Sequence, residues 1–264
     1  MPTINTHRWT NCLADANTAF NGLRVRAFLQ DVVEPALATL DADVERWANT
    51  TEWGAAFAHA NAQDLTRATT EAFCLSIHSL FERQLRRWLG GCVVSLAFTP
   101  ERLRVARREN LEKLDGLLQE VRGIPLHAFH SWPDLKRLEL LANACRHGDG
   151  TSADRLFDQH PEFWPEWATT SFLLPGQTEP VMPVVQPTFE SIVVPRESLR
   201  NFVEAIAWFW DDTEYIYLNS LPTGTTDHNV QASMARLCQG WEARPAPLCV
   251  RQEDERGRPT TEAT

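Results

Sequence analysis

The sequence predicts a mainly α fold, an antiparallel helical bundle with a small β-hairpin-containing insert. Three observations lead there. Apolar residues recur at three- and four-residue spacing over most of the chain, the pattern of helices that bury one face. The breaks between these stretches carry helix-ending glycines or helix-starting threonine, serine and proline. Only one region, about 160–195, changes to proline, tryptophan and β-branched residues. Residues 1–221 are therefore expected to form a single helical domain around this Pro/Trp-rich insert. Residues 222–264 are expected to hold a linker, a short amphipathic helix and a disordered tail.

Phe20, Leu23, Phe28, Val32, Val33, Leu37, Leu40, Val44 and Trp47 predict helix from about Asp15, with a kink or break at Pro35. A second long helix is expected over roughly Ala56 to Leu89, closed by Gly90 and Gly91. Thr99 and Pro100 read as the N-cap and first residue of a charged helix running to about Val121. Ser131 and Pro133 start the next, with Leu135, Leu138, Ala142 and Cys145 as its apolar stripe and Gly148 as its stop. A Ser152-capped short helix should end before Pro161, and "TSFLL" and "ESIVVP" are the hairpin candidates. Helix returns from Arg196 to Leu218, and Val230, Met234, Leu237 and Trp241 outline the last one. The ten tryptophans read mostly as core.

The formal net charge of −10 argues against a dedicated duplex-DNA or membrane-surface binder, which needs positive charge to displace counterions. Any nucleic-acid contact is expected to be local. Six dispersed cysteines without a CxxC pair, and no signal peptide or membrane span, predict reduced thiols in a cytoplasmic protein. P-loop, dinucleotide-binding and α/β-hydrolase motifs are missing from the sequence. "HAFH" with Asp134 could in principle gather metal ligands, and "DGTSAD" resembles a calcium loop superficially. Turn histidines and a loop with a helix cap explain these better, and no metal or cofactor is expected.

"LLANACRHGDG" places polar groups on an apolar helix. Glu139, Asn143 and His147 are four residues apart and share one face, with Arg146 beside them. Such a set can exchange a proton at His147, orient a ligand oxygen at Asn143 and meet a phosphate at Arg146. Alternatively, Arg146 and His147 satisfy the last helix carbonyls and the negative end of the helix dipole. Arg83, Arg86, Arg87, Arg102, Arg104, Arg107 and Arg108 stand out against the acidic background. Of these, Arg83, Arg87, Arg104 and Arg108 are the candidate RNA contacts; solvated helix faces are the alternative, since Glu82 and Arg86 have ordinary ion-pair spacing.

The N-x-x-x-H element near a helix end, after an upstream helix of the type "HSLFERQLRRWL", resembles the HEPN superfamily of prokaryotic helical-bundle proteins. Many members are metal-independent endoribonucleases of toxin-antitoxin and antiviral defence systems that act as dimers. The resemblance covers roughly Ala56 to His147. It implies that Asn143 and His147 are the motif's polar residue and histidine, and that Glu82 supports the site. Ala142 stands where the motif's arginine belongs, so a cation central to cleavage chemistry is missing there. A literal match at Arg122 to His127 contains glycine and proline and is not expected to be helical. The resemblance implies a degenerate HEPN-like protein of bacterial defence or stress acting through dimerisation, a protein partner or RNA. The rivals are a metal-independent endoribonuclease with His147 as general acid/base and Asn143 and Arg146 in support, and a helical scaffold unrelated to the family.

Overall fold

The computed structural model describes residues 3–165, 173, 176, 178–179, 187–222 and 228–245. Among them the chain is mainly helical and holds no β-strand. In chain order the helices are α1 (Ala19–Phe28), α2 (Glu34–Ala48), α3 (Ala55–Ser95), α4 (Pro100–Arg108), α5 (Leu111–Arg122), α6 (Trp132–His147), α7 (Thr151–Gln159), α8 (Arg196–Asn219) and α9 (His228–Glu242). A 3-10 turn, Leu13–Asn17, precedes α1, and a π turn, Leu29–Val33, joins α1 to α2. Pro35 lies in the first turn of α2, directly after this π turn, so the helical backbone passes the proline without a break.

The residues fall into two compact units. Unit 1 is Met1–Asp31, Ser79–Lys136 and Asn201–Thr264; unit 2 is Val32–His78 and Arg137–Arg200. The core of unit 1 is aromatic. Phe81 meets Phe209 edge to face at 5.4 Å, Trp88 meets Trp210 at 5.8 Å, and Phe129 packs on Phe209 at 4.6 Å. Such geometry sets the positive ring edge against the negative face. The buried Trp210 indole N–H donates to Gln84 Oε1 at 2.8 Å, and Gln84 Nε2 donates to the Asn21 carbonyl at 3.2 Å, so the indole and both ends of the Gln84 amide are satisfied. Helix α9 adds Trp241, packed on Tyr215 at 4.5 Å and donating to the buried Asp212 at 2.7 Å.

In unit 2, Leu138, Leu141, Ala142 and Ala144 of α6 are buried together with Cys74, Ile77, Leu156, Phe163 and Ile192. The end of the insert is tied down by isolated bonds: Trp164 Nε1 to the Thr188 carbonyl at 3.1 Å, Val193 N to the Phe163 carbonyl at 2.7 Å, and Phe189 N to Asp149 Oδ1 at 2.6 Å. These bonds correct the strand expected at "ESIVVP", which is a 3-10 turn, Phe189–Ser191, followed by irregular chain. "TSFLL" lies outside the described residues except for Leu173, and the expected disordered tail lies outside them from residue 246.

Three helix limits also differ from the sequence expectation. Helix α3 runs through Gly90 and Gly91 to Ser95. The reason is packing: a Cβ on Gly91 would stand 2.8 Å from the Ala14 Cβ, so this glycine permits a close approach instead of ending the helix. The stop comes at Ala97, φ 56°, where Phe98 N bonds the Val93 carbonyl at 2.9 Å and Ala97 N the Val94 carbonyl at 3.2 Å, a Schellman closure. The charged helix from Thr99 is two helices, because Asn110 is extended and its side chain caps α5 by accepting from Lys113 N at 3.1 Å. Helix α7 begins at Thr151 with Gly150, not Ser152, at the cap position.

Candidate functional site

Asn143, Arg146 and His147 sit on the last turns of α6, which Gly148 ends at φ 68°. Asn143 is half-buried, and Arg146 and His147 are exposed. Among the described residues no hydrogen bond or ion pair engages their side chains, so neither the carbonyl-satisfying reading nor a bonded catalytic set is built there. Ala142 is fully buried among apolar neighbours, at the position where the family motif needs a cation. Glu82, of unit 1, bonds Arg86 at 2.6 Å one turn away. His127, His130 and Asp134 form no ligand cluster among the described residues.

The candidate RNA arginines separate. Arg83 donates to the Ser79 carbonyl at 3.1 Å, Arg104 pairs with Glu101 at 2.8 Å, and Arg108 is exposed. Only Arg87 of the four lines a groove of about 910 Å³ on unit 1, which it shares with Arg24, Arg86 and Arg107. Leu13, Trp88, Val94 and Leu103 give the groove apolar wall, and among the described residues no carboxylate lines it. The charge of Arg86 is balanced by Glu82, while Arg24, Arg87 and Arg107 are exposed and no carboxylate pairs with them among the described residues. Three uncompensated cations on one concave wall focus a positive potential locally, in spite of the acidic chain.

Helical spacing builds this wall. Asn17, Asn21 and Arg24 share one face at the start of the chain; Arg87, Gly91 and Val94 share one on α3; Leu103 and Arg107 share one on α4. The sequence singles out Arg86, Arg87 and Arg107 but not Arg24, which lies beside Arg26 in a weakly amphipathic helix. The available signal was its i+7 relation to Asn17.

Behind the groove lies a buried polar cluster that sequence reading did not identify. Arg122 and Asp15 have fully buried side chains and bond at 2.6 Å. The same Arg122 Nη2 reaches Cys92 Sγ at 2.7 Å and Cys12 Sγ at 3.0 Å, while Nη1 donates to the Thr10 carbonyl at 2.8 Å. Its guanidinium lies 4.8 Å from the Trp9 ring and 5.4 Å from the Trp88 ring. Asp15 also accepts from Trp88 Nε1 at 2.9 Å and Cys12 N at 2.7 Å. The hydrogen bond from Cys92, with Arg122 adding to it against burial, brings the Cys12 thiol down to about 6. Burial and the bond to Cys12 push the Cys92 thiol up. The arginine of the literal motif match thus belongs to a structural ion pair at the end of α5.

No helix among the described residues is long and apolar enough to cross a membrane. No protein-family model, curated protein or solved structure matches the chain.

Proposed function

We propose that the chain is a HEPN-like helical protein of a bacterial defence or stress system that works by binding RNA, not by cutting it. The observation that carries this reading is the arginine groove of unit 1, with Arg24, Arg87 and Arg107 uncompensated and an apolar wall beside them. Phosphates of a single strand meet the guanidinium groups, and the apolar wall accepts the less polar faces of the nucleotides. The buried Ala142 supports the loss of cleavage chemistry, because it replaces the cation of the family motif and leaves only the exposed Arg146, at a different angle on the helix, to meet charge at phosphorus. Exposed Trp53, in the turn before α3, and Phe57, in its first turn, both on unit 2, support the expectation of a homodimer or a protein partner.

The test is binding of a fluorescently labelled single-stranded RNA across a salt series. Three phosphate contacts give a log–log salt slope of about −2. The triple variant Arg24→Ala/Arg87→Ala/Arg107→Ala should abolish binding while keeping its helical signal. Equal binding by wild type and variant refutes the groove. Cleavage of the RNA in chelator, lost in His147→Ala, would instead establish the endoribonuclease.

A further inference from the structure

We propose that Cys12 and Cys92 are an oxidisable dithiol, in which peroxide oxidises Cys12 and Cys92 then closes a disulfide with it. Cys12 Sγ, Cys92 Sγ and an Asp15 oxygen lie within 4.8 Å of one another. Two thiols and a carboxylate at that spacing also resemble a metal site, but Arg122 Nη2 already stands among all three, at 2.6–3.0 Å from each. The cation of the cluster is therefore the guanidinium, and thiol chemistry is what remains open to it.

Burial sets the order of events. Cys12 is half-buried and Cys92 is fully buried, so a small oxidant reaches Cys12 first. The hydrogen bond from Cys92 and, behind it, the Arg122 guanidinium at 3.0 Å stabilise the Cys12 thiolate as nucleophile, supported by its lowered proton affinity. The thiolate attacks one peroxide oxygen and the O–O bond breaks. Cys12 becomes a sulfenic acid, and the departing hydroxide takes a proton to become water. Cys92 sulfur then attacks the sulfenic sulfur, an S–S bond forms, and the Cys92 proton leaves with the hydroxyl as a second water. In total two thiols lose two electrons and two protons, and one peroxide is reduced to two waters.

Unit 2 supplies an internal comparison. Cys74 and Cys145 are also hydrogen-bonded to each other, but that bond and burial raise Cys74, and no cation acts on it. Proximity is common to both pairs; among the described residues only the Cys12–Cys92 pair has a guanidinium against its sulfurs.

The experiment uses the full reduced chain, folded, with limiting hydrogen peroxide, followed by acid quench, alkylation, trypsin and mass spectrometry. The expected product joins peptide 9–24 to peptide 88–102, each of which holds one cysteine, and is lighter than the sum of the two thiol peptides by two hydrogens. It should accumulate before Cys74, Cys145 or Cys238 loses alkylation. In Cys92→Ala, dimedone should trap a sulfenic acid on Cys12. If that variant does not fold, the wild-type time course decides alone. Oxidation of the other cysteines ahead of Cys12, or conversion of Cys12 to sulfinic acid without a link to Cys92, overturns the proposal.

Discussion

Replacing Arg122 with methionine removes the cation from the buried centre of unit 1 and leaves most of its volume. The Asp15 carboxylate stays behind, fully buried, with Trp88 Nε1 and Cys12 N as its remaining donors. Breaking a buried ion pair by removing one partner costs about 3–5 kcal/mol, because a charge remains in a poorly solvating place. Contact with the faces of Trp9 and Trp88, at 4.8 and 5.4 Å, adds about 1 kcal/mol. Arg122→Met should therefore destabilise unit 1 by roughly 4–6 kcal/mol, a large share of the stability of an ordinary domain. Adding Asp15→Asn removes the orphaned charge, so the double variant should lose about 2–3 kcal/mol less than the sum of the two singles. Urea unfolding followed by tryptophan fluorescence measures all four corners, and Trp9 and Trp88 report from the site itself. High salt should leave the coupling in place, since solvent ions do not screen a pair without exposure. Additive singles, or an Arg122→Met cost below about 1 kcal/mol, refute the claim that this pair organises unit 1.

Asn110→Ala removes the α5 cap and should cost about 1 kcal/mol in urea unfolding. At Glu162, burial raises the carboxyl but is outweighed by the His160 hydrogen bond and by Arg137 at 2.7 Å, which hold it down at about 2. Its folded value is below its ordinary 4.5, so this contribution is complete above pH 4.5 and disappears as pH falls toward 2. The urea midpoint of wild type should therefore fall between pH 6 and pH 3 more steeply than that of Glu162→Gln. Alkylation of Cys12 by iodoacetamide should rise with pH around a midpoint of about 6 and move upward in Cys92→Ala, which lacks the donated hydrogen bond. Gly91→Ala gains about 1 kcal/mol of helix propensity, yet its Cβ meets Ala14 at 2.8 Å. Overpacking of about 1–3 kcal/mol should outweigh the gain, lower the urea midpoint and slow the joining of Cys12 to Cys92.

Helices were legible in the sequence wherever a long apolar stripe coincided with a strong terminal signal. Helix α8 follows the stripe from Leu199 to Trp210, and α9 follows Val230, Met234, Leu237 and Trp241. Misreadings cluster where one residue type has two physical uses. Gly90 and Gly91 looked like a terminus because glycine ends helices; in the fold, Gly91 admits the Ala14 methyl against an uninterrupted turn. Asn110 was passed over as one more polar residue of a charged stretch, although an asparagine that bonds the third N–H ahead starts a new helix.

Site chemistry was less legible because it is assembled from distant segments. The motif of α6 is local and visible, but Asn143 is half-buried, Arg146 and His147 are exposed, and the three are unjoined among the described residues. The groove arginines 24, 87 and 107 come from three separate helices, and no window of sequence contains their convergence. Arg122 is the sharper case. Beside Gly123 and Pro125 it reads as the end of a solvated helix, where arginine complements the dipole. Its burial depends on Asp15, 107 residues earlier, and on two tryptophans that cover it. A buried arginine needs several acceptors, and here they include both thiols of the Cys12–Cys92 pair. The same side chain thus ties the N-terminal segment to α3 through Asp15 and Thr10 and adds to the Cys92 hydrogen bond that lowers the Cys12 thiol. Leu13 and Ala14 continue from Cys12 into the wall of the arginine groove, and Gly91 precedes Cys92 in that wall. Forming an S–S bond behind the wall must move sulfurs that now rest on Arg122, so the oxidation state of the pair and the shape of the groove are one packing problem.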